Sequence, residues 1–141
     1  MINLLSIEDE TADFLLLVRH LQQHGMAANV VRVEDLPGLL GALETTQWDA
    51  ILTDYSVPKL NFRETLALLR KRLPDCPIIL VSGSVGEEMA VELLREGIWD
   101  FVLKDNLARL CPAIERGFRD SAQRRARQAA EHALQESEER F

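Results

Sequence analysis

At 141 residues, 47% hydrophobic and 28% charged, the chain is long and apolar enough for one domain with a real core and too short for two comfortable ones. A formal net charge of -7 gives an acidic surface that repels phosphate backbones and anionic lipids, so neither nucleic-acid nor membrane binding is expected. No stretch approaches the length of a membrane span, and Met1 to Ile7, lacking a basic flank, reads as a strand start rather than a signal peptide; a cytoplasmic location is the expectation. The first apolar run, Ile2 to Ile7, predicts a strand ending on Glu8-Asp9-Glu10. Phe14, Leu17, Val18 and Leu21 then share one helical face, and Gly25 stands where that helix would end. Second and third strands are predicted over Asn29 to Val33 and Ala50 to Thr53. Asn61 and Glu64 have capping-box spacing ahead of a helix with Leu66, Leu69 and Leu73 on one face. A fourth strand is predicted over Pro77 to Ser82. Ser84 and Glu87 repeat the capping-box spacing, before a helix whose apolar face carries Met89, Val91, Leu93 and Leu94 and which would end at Gly97. The fifth strand is predicted over Trp99 to Leu103.

Short, nearly continuous apolar runs suit strands buried on both faces. Five of them alternating with helices predict an α/β, flavodoxin-like doubly wound (βα)5 fold: a five-stranded parallel sheet of order 2-1-3-4-5 with helices on both faces. That order places a crevice beside the first and third strands. From about Ser121 the sequence SAQRRARQAAEHALQESEER is alanine-rich, free of Gly and Pro, and balanced at four basic and four acidic residues. Phe118, Ala122, Ala126, Ala129 and Ala133 recur at three- and four-residue steps, which predicts one long helix continuing the fifth and projecting from the domain. The expected division is a domain over residues 1–120 and a helical linker over 121–141. The alanine stripe offers a weak coiled-coil homodimer, and a solvated helical tail accounts for it equally well. Cys76 and Cys111 form no CxxC pattern and read as buried small residues in a reducing compartment.

In a parallel sheet, residues just after the strands gather on one edge. Here Glu8 and Asp9 follow the first strand, Asp54 ends the third, Ser82 the fourth and Lys104 the fifth. Three carboxylates brought together repel unless neutralised, and a hard dication with oxygen ligands, Mg²⁺ above all, relieves that repulsion. A backbone carbonyl near Ser56 offers one more ligand. Asp54, central in the set, is then placed to act as a phosphoryl acceptor, with the Lys104 ammonium shielding developing charge and the Ser82 hydroxyl donating to a phosphoryl oxygen. Taken singly, each residue has a plainer role: helix cap, solvated charge, turn residue. The joint arrangement carries the functional reading.

The stretches SIEDE, ILTDYSVPKL, PIILVSGS and FVLKDN, in this order and spacing, resemble the receiver domains of response regulators over roughly residues 2 to 120. The resemblance implies Mg²⁺-dependent transfer of a phosphoryl group from a histidine kinase or a phosphotransfer protein onto Asp54, reset by hydrolysis. It also implies a switch in which Ser82 moves toward the phosphoryl group and Phe101, three places before the lysine, turns inward; the face of the fourth helix, fifth strand and fifth helix then changes for an output module. It implies a signalling domain rather than a turnover enzyme. Ser56 and Ser84 fall where side chains guide or block attacking water. Two departures stand out: Asp105 follows the lysine where the family usually has a cis proline, and Asn61-Phe62 replaces a common Asp-Gly. A haloacid-dehalogenase-type phosphatase also uses a strand-end Asp, but it wants a second Asp where Ser56 stands. A pseudo-receiver acting by dimerisation alone is the remaining alternative, against which the intact acidic pair, Ser82 and Lys104 argue. ALQESEERF resembles the helical lead-in to a PAS sensory domain, which implies a fragment of a longer protein.

Overall fold

A computed structural model describes residues 1–139; Arg140 and Phe141, which close the ALQESEERF stretch, lie outside the described residues. The elements follow as β1 (Ile2–Ile7), α1 (Thr11–Gln23), β2 (Ala28–Val33), α2 (Leu36–Thr45), β3 (Ala50–Thr53), α3 (Phe62–Arg72), β4 (Ile78–Ser82), α4 (Glu87–Glu96) and β5 (Asp100–Leu103). A single 3₁₀ turn over Leu107–Arg109 then leads into α5 (Leu110–Glu139). All strand pairs are parallel and the sheet order is β2-β1-β3-β4-β5, as the alternation of elements predicts. The peptide bonds of the described residues are all trans, Lys104–Asp105 included.

The three central strands are buried over most of their length, so side chains alternate between two cores. Leu5, Ile7, Ile51, Ile78 and Leu80 face Leu39, Leu66, Leu69 and Leu93 from α2, α3 and α4. Leu4, Leu52, Ile79, Val81 and Val102 face Leu17 and Leu21 of α1 and Leu110 and Ile114 of α5. Burying a leucine of this kind contributes about 1.5–3 kcal/mol, which makes these two layers the main source of stability.

Local signals explain most element ends. Asn61 Oδ1 accepts from the Glu64 amide at 3.0 Å and starts α3. The corresponding expectation for Ser84 does not hold: α4 starts on Gly86 without a side-chain cap, and the Ser84 amide donates to Ser82 Oγ instead. The predicted face of α4 also needs correction. Ala90 and Leu93 point inward with Met89 beside them, while Val91 and Leu94 are 50% and 44% exposed. Apolar residues occupy more than one side of this helix, so periodicity alone leaves its rotation open; the small Ala90 lets the helix approach the sheet on its own side.

Gly97 closes α4 at φ +131, and a Cβ there would strike the Arg70 side chain. Arg70 crosses this point to donate to the Glu96 carbonyl at 2.7 Å. Gly97→Ala therefore combines backbone strain with displacement of Arg70, and urea unfolding should show a loss of more than about 1 kcal/mol.

Helix α5 runs unbroken through residues 120 and 121 and is about 45 Å long at 1.5 Å per residue. Its first part is buried through Ser121, whose hydroxyl donates to the Asp75 carbonyl. Arg124 lies over the Trp99 ring at 4.2 Å and the Gln128 amide reaches Asp75, which extends the docking by two further turns. The later positions of the alanine stripe are exposed. Among the described residues, no helix is long and apolar enough to cross a membrane.

Both cysteines are buried and unpaired, and burial pushes the Cys76 thiol up to about 12 and Cys111 upward as well. The thiolate is the reactive form, so a thiol reagent at pH 8 should label neither residue until denaturant unfolds the chain.

Candidate functional site

Backbone pairing continues one residue past several strands and fixes the candidate side chains on a common rim. The Glu8 amide donates to the Val33 carbonyl at 3.0 Å, the Asp54 amide to Ile7 at 3.0 Å, and the Lys104 amide to Ser82 at 3.2 Å. Residues far apart in the chain are thus held at the C-terminal edge of the sheet by the same ladder that builds its interior.

At this rim Lys104 Nζ donates to Asp54 Oδ2 at 2.8 Å and to Asp13 Oδ2 at 2.8 Å, and it also contacts Glu8 Oε1. The Glu8 and Asp54 side chains are only 7% and 10% exposed, Lys104 is 22% exposed and Asp13 37%. Burial alone pulls the ammonium of Lys104 down, but hydrogen bonds to Asp13, Asp54 and Glu8 more than offset it and hold its pKa above the ordinary value. Lys104 is a permanent cation here. Burial raises Glu8 above the usual carboxylate range, against the opposing pull of Lys104 and with a further push from the Asp54 charge.

Asp54 has its two oxygens differently engaged. Oδ1 accepts the Tyr55 amide at 2.7 Å, and Oδ2 accepts from Lys104. Glu8 Oε2 accepts the Glu10 amide at 3.3 Å. Among the described residues no hydrogen-bond donor reaches the Asp9 carboxylate. Glu8, Asp9 and Asp54 each offer an oxygen within 4.8 Å of the others, so the three carboxylates can share one cation. An all-oxygen, all-carboxylate donor set of this kind suits a hard dication such as Mg²⁺ and not a soft one.

Sequence reasoning foresaw the convergence of Glu8, Asp9, Asp54 and Lys104 at one rim. Ser82, wholly buried at the end of β4, shares that edge, but its hydroxyl is engaged with Ser84, with the two Oγ atoms 3.4 Å apart. Phe101 is half-buried and packs against the core on the α4 side. Ser56 is exposed in the turn after β3. Asp13 was not foreseen. An acidic residue in the first turn of a helix ordinarily answers the helix dipole, and nothing in the spacing reveals that this one faces the fifth strand. The Tyr55 amide on Asp54 was equally invisible, because it depends on the turn conformation after β3.

A doubly wound parallel sheet with an acidic rim and a half-buried strand-end lysine defines a class of α/β proteins. The model of the response regulator receiver domain family matches residues 4–115, and the chain belongs to that family. It is 28% identical over 104 residues to the response regulator protein FleR of Pseudomonas aeruginosa, an alignment that covers 74% of this chain and 20% of FleR. The chain therefore corresponds to about a fifth of that relative. A crystal structure of a receiver domain protein from Clostridium thermocellum superposes with a TM-score of 0.75 at 22% identity, covering 87% of this chain and 98% of that one. A response regulator from Burkholderia pseudomallei, solved with a phosphorylated aspartic acid, a calcium ion and citrate, gives a TM-score of 0.69 at 21% identity, covering 93% and 75%.

Three carboxylates this close repel one another, and Lys104 offsets only part of that repulsion. Asp9→Asn should therefore raise the thermal midpoint of the metal-free protein by about 2–6 °C. Repeating the melt in excess Mg²⁺ should shrink or reverse the difference, since the substitution also removes a candidate ligand.

Proposed function

We propose that the chain is a phosphoacceptor switch in two-component signalling, with Asp54 as the residue that receives the phosphoryl group. The observation that carries this reading is the pairing of a nearly buried Asp54 carboxylate with Lys104 at 2.8 Å, beside two further acidic residues. An aspartate oxygen attacks phosphorus, the bond from phosphorus to the donor nitrogen breaks, and an acyl phosphate forms on Asp54. The donor is a phosphohistidine on a histidine kinase or a phosphotransfer protein. Water attack later releases phosphate and restores the carboxylate, so the domain is a switch rather than a turnover enzyme.

Glu8, Asp9 and Asp54, with the Ser56 carbonyl, would hold Mg²⁺. When bound, the ion supplies positive charge against the carboxylates and the phosphoryl oxygens. Lys104 supplies a second, permanent positive charge at the rim, already oriented before reaction, which is where fixed charge acts most effectively. Tyr55, through its amide, holds Asp54 Oδ1 and limits rotation of the carboxylate. The Burkholderia pseudomallei response regulator, which shares this fold, was solved with both a phosphorylated aspartic acid and a calcium ion, and that supports this reading.

The output side follows from Ser82 and Phe101. A phosphoryl group on Asp54 presents new acceptors, and the Ser82 hydroxyl turns from Ser84 to meet them. Movement of that strand end frees space on the α4 side, where Phe101 packs more deeply. The surface that changes includes exposed Val91 and Leu94 on α4 and Leu103 on β5, apolar residues available to an output module. The exposed stripe of α5 is the surface through which two copies would pair.

Incubation with acetyl phosphate and Mg²⁺ should add a single phosphoryl group by intact-mass measurement. Asp54→Asn should abolish the adduct, and Lys104→Met should lower its yield by at least about tenfold. A chain that takes up no phosphoryl group under any Mg²⁺ or donor condition would not be a phosphoacceptor.

A further inference from the structure

We propose that Asp13 is a positioning residue for Lys104: it keeps the ammonium at the rim when Glu8 and Asp54 are drawn to a cation. This rests on the phosphoacceptor reading above and deepens it.

The lysine has three carboxylate partners, but they are not equivalent. Glu8 and Asp54 belong to the trio whose oxygens can share an ion, and Asp13 does not. A dication and an ammonium compete for the same two carboxylates. Without a further acceptor, Lys104 either stays on Glu8 and Asp54 and opposes the cation, or leaves on its flexible four-carbon stem for water. Asp13 gives it a third course. Contact with Asp13 Oδ2 at 2.8 Å retains the charge close to Asp54 while the metal-facing oxygens are released.

The charge count agrees. Glu8, Asp9, Asp13 and Asp54 against Lys104 leave a surplus of three negative charges in the crevice. One dication reduces that surplus to a single charge. Neutralising Asp13 removes one of the charges that favour the ion and, more specifically, removes what is, among the described residues, the one carboxylate partner of Lys104 outside the ion-sharing trio.

The plainer role for Asp13 is an acidic residue answering the dipole of α1. Its geometry points elsewhere. No side chain caps the start of α1, and among the described residues the hydrogen bond made by the Asp13 carboxylate goes to Lys104, across 91 residues of chain. The first turn of α1 serves as a rigid mount that aims this carboxylate at the strand-end lysine.

The test is a thermodynamic cycle read by Mg²⁺ calorimetry on the whole chain, with thermal melts confirming that each variant is folded. Asp13→Asn should weaken Mg²⁺ binding by about fivefold or more in the presence of Lys104, and by less than about twofold in a Lys104→Met background. Asp13→Glu, which keeps the charge, should recover most of the loss. An equal loss in both backgrounds would mean that Asp13 acts by charge alone, and no loss would mean that it does not position the lysine; either overturns the inference. In both cases continued Mg²⁺ binding and phosphoryl uptake by the unaltered chain would leave the phosphoacceptor reading standing. Absence of Mg²⁺ binding by the unaltered chain would overturn both.

Discussion

The rim of this domain depends on one ammonium group. Lys104 meets Glu8, Asp13 and Asp54 in a partly dry crevice, where the uncompensated carboxylates would repel each other and disfavour the fold. The compensation is partial by construction. One cation stands against four acids, and the remaining negative charge favours a dication, as the proposed function requires.

The sheet makes the arrangement reproducible. Parallel strands end side by side, and the ladder extends one residue past them to Glu8, Asp54 and Lys104. Asp54 is held by Ile7, which precedes Glu8, and Lys104 by Ser82, so two of these three backbones are tied to the candidate set itself. The two leucine-rich layers support that ladder from both faces of the sheet.

Much of this was legible in the residues themselves. The buried runs of β1, β3 and β4 leave little choice of element, and with right-handed crossovers their order leaves little choice of topology. That the acidic pair, Asp54 and Lys104 meet at one edge followed from their places at strand ends, while the roles expected of them came largely from the resemblance to receiver domains. What was not legible depends on rotation and on long-range contact. Val91 and Leu94 face solvent because α4 turns on Ala90 and Leu93, a rotation that the wide apolar arc from Met89 to Val91 leaves open. Ser84 has the spacing of a cap but donates to Ser82, since the turn between them satisfies its amide first. Asp13 reaches a partner 91 residues away, and the stacking of Arg124 on Trp99 is set by where α5 emerges from the sheet. No local pattern carries such information.

The most direct test of the central claim is a crystal structure of the chain with Mg²⁺ and beryllofluoride, a stable mimic of the phosphoryl group. The expected result is a fluoroberyllate on a carboxylate oxygen of Asp54, the ion held by Glu8, Asp9 and Asp54, and the Lys104 ammonium donating to a fluorine. An unmodified Asp54 at saturating reagent, or an adduct and ion seated away from Lys104, would contradict it.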